Sequence, residues 1–148
     1  MSEERTRAGK MTFPKGPSKD DHRTPIDILV QLTREMGVPT FDLDAAASGE
    51  NRVCWVYYDQ EKDGLKQPWM GKTWCNPPYR QIPQWVEKAH REASTNLDVE
   101  LVWMLLPCRP STRWFRYVMA TAAEIRLIHG RLKFHGPHEV ANSSAPFP

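Results

Sequence analysis

The sequence predicts an α/β domain built on an open, mostly parallel sheet flanked by helices. Three observations predict it. Short apolar runs alternate along the chain with stretches of helical spacing. The most apolar run, Val99 to Leu106, has the look of a strand buried on both faces and is predicted as the central strand. A short strand, Lys72 to Cys75, stops at Asn76-Pro77-Pro78-Tyr79, and no strand ladder continues through two consecutive prolines.

The elements follow in order. Residues 1–22 are polar, charged and rich in Gly, Pro and Ser, and read as a flexible tail ahead of one domain over 23–148. Thr24-Pro25-Ile26-Asp27 opens a helix, with Thr24 as cap, Pro25 in the first position and Asp27 at the positive end of the dipole. Its predicted buried stripe is Ile26, Leu29, Val30, Thr33 and Met36, and Gly37 closes it. Thr40 to Ala46 reads as a short buried strand entering a small-residue turn, and Val53 to Tyr58 as a second strand. Asp63-Gly64 marks a turn. Ile82, Trp85, Val86, Ala89 and Ala93 have helical spacing. Ser111 is predicted to cap a helix carrying Trp114, Phe115, Val118, Met119 and Ala122 on one side. Ile125 to Ile128 and Leu132 to Phe134 read as strands parted by Gly130.

The 148 residues suffice for one core, and 40% apolar content excludes wholesale disorder. A net charge of +2 excludes a strongly basic nucleic-acid coat, yet it hides a division along the chain. Residues 39–63 hold six acids against two bases, and residues 109–135 hold six bases against one acid. One end of the domain suits cations or hydroxyl-rich ligands, and the other suits anions. Three scattered cysteines, Cys54, Cys75 and Cys108, with no C-x-x-C spacing, argue against a disulfide framework and for a reducing cytoplasm. No run approaches the roughly 18 apolar residues of a membrane span, and Met1–Lys10 has no apolar core that would make a signal peptide. His135-x-x-His138 lacks neighbouring ligands, so no metal site is predicted.

The chemistry is concentrated in Asn76-Pro77-Pro78-Tyr79. In an open α/β sheet, ligands sit beyond the carboxyl ends of the strands, where this motif falls. The Asn76 amide oxygen and the Pro77 carbonyl can accept both hydrogens of one amino group. Proline adds no competing N–H and stiffens the backbone. Tyr79 offers a face for a flat ring. Such a grip suits the exocyclic amine of adenine, whose lone pair is delocalised into the ring. Two acceptors favour a pyramidal nitrogen, whose freed lone pair can attack an activated methyl group. Asn is no base, so catalysis rests on positioning and electrostatics. The plain alternative is a strand-ending turn.

The ordered set Thr24-Pro25, Phe41-Asp42-Leu43-Asp44-Ala45-Ala46-Ala47-Ser48, Asp63-Gly64-Leu65 with Trp69, Trp74-Cys75-Asn76-Pro77-Pro78-Tyr79, Leu105-Leu106-Pro107 and Gly130-Arg131-Leu132-Lys133-Phe134 resembles the phage-type DNA N-6-adenine methyltransferases, the Dam-like family. The resemblance covers roughly residues 20–148. It implies a Rossmann-like fold that uses S-adenosylmethionine and methylates adenine in DNA. It implies Asn76, Pro77, Pro78 and Tyr79 as catalytic residues, and Thr24, Pro25, Asp44, Ala45 and Asp63 as cofactor-binding residues. Phe134 matches a second aromatic near the extruded base. Adenine in a duplex would be flipped out, with Tyr79 replacing the stacking it leaves behind. A phage or prophage origin places the protein in the host cytoplasm, in a role of protection from restriction or of regulation.

The sequence departs from the family at Ala45-Ala46-Ala47-Ser48-Gly49, where a glycine-rich turn is usual. Asp59, after the Val53 to Tyr58 run, is the candidate ribose-binding acid. Asp42 or Asp44 could simply cap the turn. Trp85, Trp114 and Phe115 read as core, while Trp55 and Trp69 are undecided. Arg109, Arg113 and Arg116 form either a solvated face or a phosphate contact. Target choice falls to loops, an oligomer or an accessory partner. The last residues resemble a loop leading to a further element, which suggests a sheet short of one strand. Competing functions are an amino-methyltransferase acting on RNA or protein glutamine, and a non-catalytic cofactor- or DNA-binding remnant.

Overall fold

A computed structural model describes residues 23–130 and Leu132. Helix α1 spans Ile26–Met36. Gly37 ends it in the left-handed conformation (φ 67°, ψ 30°), and its N–H donates to the Arg34 carbonyl. The N-cap is Pro25 and carries no side-chain cap bond, so the expected Thr24 cap is not formed. The Thr24 hydroxyl is engaged with Asn76 instead. The buried stripe is also rotated from the expected one. Leu32 is buried, with Ile28, Leu29 and Met36 packed beside it, while Ile26 and Val30 are exposed.

Three parallel strands form one sheet in the order β1 (Leu43–Asp44), β2 (Gly71–Cys75), β3 (Val99–Met104). Asp44 lies opposite Trp74, and Trp74 opposite Trp103. Alternation along the strands sends Leu43 and Cys75 to one face, where they pack with Trp69, Trp85 and Ala89. Trp74 goes to the other face, with Leu32, Phe41 and Cys54. Helix α2, Ile82–Thr95, connects β2 to β3 and covers the first face. Helix α3, Arg113–Thr121, packs on α2, where His90 Nδ1 lies 2.5 Å from the Tyr117 hydroxyl. Its cap is Thr112, whose hydroxyl accepts the Phe115 N–H, so the expected Ser111 cap moves one residue.

Several expected strands take other forms. Val53–Tyr58 makes a single parallel bridge, Tyr57 with Asp44, because β1 is only two residues long. Val99–Leu106 is not central: β2 lies between β1 and β3, and among the described residues β3 pairs only with β2. That leaves Leu101 exposed. Ile125–Ile128 is no strand: its apolar residues are exposed, and Arg126 ties it through Glu35 and the Trp103 ring. Residues 1–22, Phe134 and the pair His135 and His138 lie outside the described residues, as does most of the expected strand Leu132 to Phe134.

Two glycines let the chain close on itself. A Cβ on Gly64 would stand 2.0 Å from the Ala45 carbonyl oxygen, so only glycine lets the Asp63-Gly64 turn lie against the end of β1. Gly71 has φ +55°, and a Cβ there would stand 2.4 Å from Asp42 Oδ2.

Candidate active site

The carboxyl ends of all three strands lie on one side of the parallel sheet. Ala45 leaves β1 there, its N–H donating to the Trp74 carbonyl. Asn76 leaves β2 beside it, and Leu105 follows β3, its N–H donating to the Cys75 carbonyl. The period of two places Asn76 on the face of Trp74, toward α1. Thr24, just before α1, meets it there: Asn76 Nδ2 donates a long hydrogen bond of 3.5 Å to Thr24 Oγ1. With the amide's donor end turned to Thr24, its Oδ1 is left as an acceptor.

Pro77 is buried, Pro78 is half-buried, and a single 3-10 turn over Tyr79–Gln81 leads into α2. The Pro78 carbonyl accepts the Gln81 N–H. Tyr79 is 50% exposed, so its ring presents a face to solvent.

Asp44 is buried, and its carboxylate accepts two backbone bonds, from Val53 N (3.0 Å) and Ala46 N (3.3 Å). Burial pushes its pKa up to about 6, against the lowering effect of those amides. At neutral pH it is therefore a desolvated anion that organises the loop after β1. Burial, reinforced by the Asp44 charge, pushes the Cys54 thiol up to about 12 and the Cys75 thiol well above its usual value. Neither cysteine is a nucleophile at neutral pH.

Asp63 lies in the turn that Gly64 seats on Ala45, at φ 55°. Its Oδ1 accepts the Leu65 N–H, and its Oδ2 pairs with Lys66 at 3.1 Å. The turn is braced from behind by Trp69, whose Nε1 donates to the Gly64 carbonyl at 2.8 Å. The Trp69 N–H in turn donates to Glu92 of α2, which is paired with the buried Lys88. Sequence reasoning missed this brace; the spacing of Lys88 and Glu92, four apart on a helix, was the available signal.

Among the remaining candidates, Asp42 Oδ2 accepts the Lys72 N–H, and Asp59 Oδ1 accepts the Lys62 N–H. Trp69 is core at 1% exposure, whereas Trp55 is exposed. Phe115 and Trp85 are buried, as expected. Arg109, Arg113 and Arg116 are exposed beyond the end of β3, and among the described residues none pairs with a carboxylate. Thr24, Asp44, Ala45 and Asn76 are thus tied to the ends of β1 and β2 by direct contacts and Asp63 through its neighbour Gly64, whereas Arg109 and Arg113 are placed only by their loop and helix.

No group of His, Cys, Asp and Glu able to hold a metal ion occurs among the described residues, and no helix there is long and apolar enough to cross a membrane.

A parallel sheet whose middle strand runs into Asn-Pro-Pro-Tyr, flanked by an acid at the end of the neighbouring strand, defines a protein of the α/β methyltransferase class. The model of the DNA N-6-adenine-methyltransferase (Dam) family matches residues 12–146, and the chain belongs to that family. It is similar to a DNA N-6-adenine-methyltransferase of Escherichia phage T1, with 40% identity over 117 residues, covering 77% of this chain and 47% of the phage protein. The chain thus spans about half the length of that curated relative. No solved structure matches.

Proposed function

We propose that the protein transfers a methyl group from S-adenosylmethionine to the N-6 amine of adenine in DNA. The carrying observation is the Asn76–Thr24 contact, which turns the amide so that Oδ1 is available to an amino group. With the Pro77 carbonyl it makes a pair of acceptors that draws the amine hydrogens to one side and frees the nitrogen lone pair. Tyr79 stacks on the adenine ring, which has left the duplex stack. Asn76 takes no proton, so the one released by the acceptor nitrogen passes to water. The family relation and the activity for which the phage relative is named support this acceptor over RNA or protein glutamine.

The residues present fit an organic cation bearing hydroxyls. Asp44 is an anion in a low-dielectric setting, and Asp63 is a half-exposed carboxylate beside it in the fold. Asp44, Ala45 and Asp63, with Thr24 and Pro25 before α1, would hold S-adenosylmethionine, which supplies an electrophilic methyl group when bound. Arg109 and Arg113 would contact DNA phosphates, and Phe134 would add a second aromatic against the base. The host cytoplasm is the proposed location, with duplex DNA as partner.

Labelled S-adenosylmethionine incubated with adenine-containing DNA tests the reading, with modified positions mapped at base resolution. Methyl-adenine is expected with the parent protein and should fall by at least about a hundredfold in Asn76→Ala. Undiminished activity in a folded Asn76→Ala protein would refute the role given to Asn76. Label in RNA or a glutamine peptide, but not in DNA, would refute the acceptor.

A further inference from the structure

Trp55 stands apart from the other tryptophans. It is 83% exposed, whereas Trp69, Trp74 and Trp85 are buried and Trp103 and Trp114 half-buried. It is also part of an ordered surface array. The Arg52 guanidinium carbon lies 5.3 Å from the Trp55 ring centroid and 5.0 Å from that of Tyr57. The Lys62 ammonium lies 5.4 Å from the Tyr57 ring on its own account. The series is ring, cation, ring, cation. A shallow pocket beside it is lined by Thr40, Arg52, Val53, Cys54 and Trp55.

The array is held by the backbone. The Val53 N–H donates to the buried Asp44 carboxylate, and Tyr57 bridges to Asp44 of β1. Nearby acids do not neutralise its cations by direct pairing. Asp42, Asp44 and Asp59 accept backbone amides, and Asp63 pairs with Lys66. Among the described residues Arg52 and Lys62 face aromatic rings and no carboxylate.

We propose that Trp55, with Arg52, Tyr57 and Lys62, is a stacking contact for DNA outside the catalytic motif, taking the face of an unpaired base on Trp55 and the adjoining phosphate on Arg52 or Lys62. A base offers a flat π-face, and a flanking phosphate offers the anion that an unpaired guanidinium lacks. The array presents both complements in sequence. This rests on DNA being the substrate, but the contact is one of binding and is read without turnover.

The part of the iodide quenching of tryptophan fluorescence that is lost in Trp55→Ala reads Trp55, the most exposed indole, apart from half-buried Trp103 and Trp114, and that part is the quenching measured. Saturation with a short single-stranded oligonucleotide should lower the quenching of the parent protein, and Trp55→Ala should weaken its binding about tenfold. The unfolding temperature and S-adenosylmethionine affinity of Trp55→Ala should stay at parental values. Quenching unchanged on saturation with DNA would overturn the proposal, as would parental DNA affinity in Trp55→Ala. Protection by S-adenosylmethionine alone would also overturn it, by assigning the ring to the cofactor. A protein that transfers no methyl group but protects Trp55 on binding DNA would fail the functional reading and keep this one.

Discussion

Asp44 shows how one residue carries a cost and a role together. A carboxylate with a pKa near 6 is destabilised in the folded protein relative to water, where carboxylates titrate near 4. The sign follows from proton counts. Between these values the folded state holds more protons than the unfolded chain, so this group's contribution to stability is fullest below pH 4 and is lost as pH rises through 6. In Asp44→Asn the titration is gone. The stability of Asp44→Asn relative to the parent should therefore rise by up to about 3 kcal/mol between pH 4 and pH 7. Paired denaturation curves across that range check this, and a difference independent of pH would sink it. The same substitution should weaken S-adenosylmethionine binding at pH 7.5, seen by calorimetry. Residue chemistry alone does not separate Asp44 from Asp42; the family resemblance singles out Asp44, and in the fold the two differ in burial and in which backbone amides reach them. Asp42 lies exposed and takes the amide of Lys72, whereas Asp44 is closed in by Val53 and Ala46.

At the scale of elements, the parts legible in the sequence are those fixed by local chemistry. Gly37 ends α1, the double proline ends β2, and the apolar spacing from Ile82 gives α2. The parts that misled depend on distant partners. Val53–Tyr58 has strand composition but meets a β1 of only two residues, so one bridge forms. Asp63-Gly64 was legible as a turn; its seat on β1 was not, because that depends on Ala45 approaching from far earlier in the chain and on Trp69, itself tied to α2, bracing it. Gly64→Ala tests this seat. The added methyl would meet a backbone carbonyl with no side chain able to give way, so the turn must lift from Ala45. A destabilisation of about 2–4 kcal/mol is expected, together with an S-adenosylmethionine affinity reduced at least about tenfold at temperatures where the variant stays folded. Parental affinity in folded Gly64→Ala would show that Asp63 does not need that seat.

Across the whole molecule, the charge division along the sequence survives only in part, and the surviving part makes a prediction. Of the bases in 109–130, Arg126 is held by Glu35 and Glu124 and lies over the Trp103 ring, which removes it from any phosphate. Arg109, Arg113 and Arg116 are exposed and carry no such partner among the described residues. Under the proposed function, the basic face offered to DNA therefore reduces, in this region, to three arginines around the start of α3. At the opposite end of the sheet order, beside β1, the Trp55 array lies in the acid-rich part of the chain and should act by stacking. The two contributions respond differently to salt. Removing one phosphate-binding cation lowers the slope of log affinity against log salt by roughly 0.9 on duplex DNA, whereas removing a stacking ring lowers affinity at every salt concentration alike. Arg109→Ala with Arg113→Ala should therefore flatten the slope by nearly two and leave S-adenosylmethionine binding unchanged. Trp55→Ala should shift the line down without changing its slope. A salt titration of DNA binding by the parent and both variants decides the matter: a double arginine variant with the parental slope would remove those residues from the interface and return them to a solvated helix face.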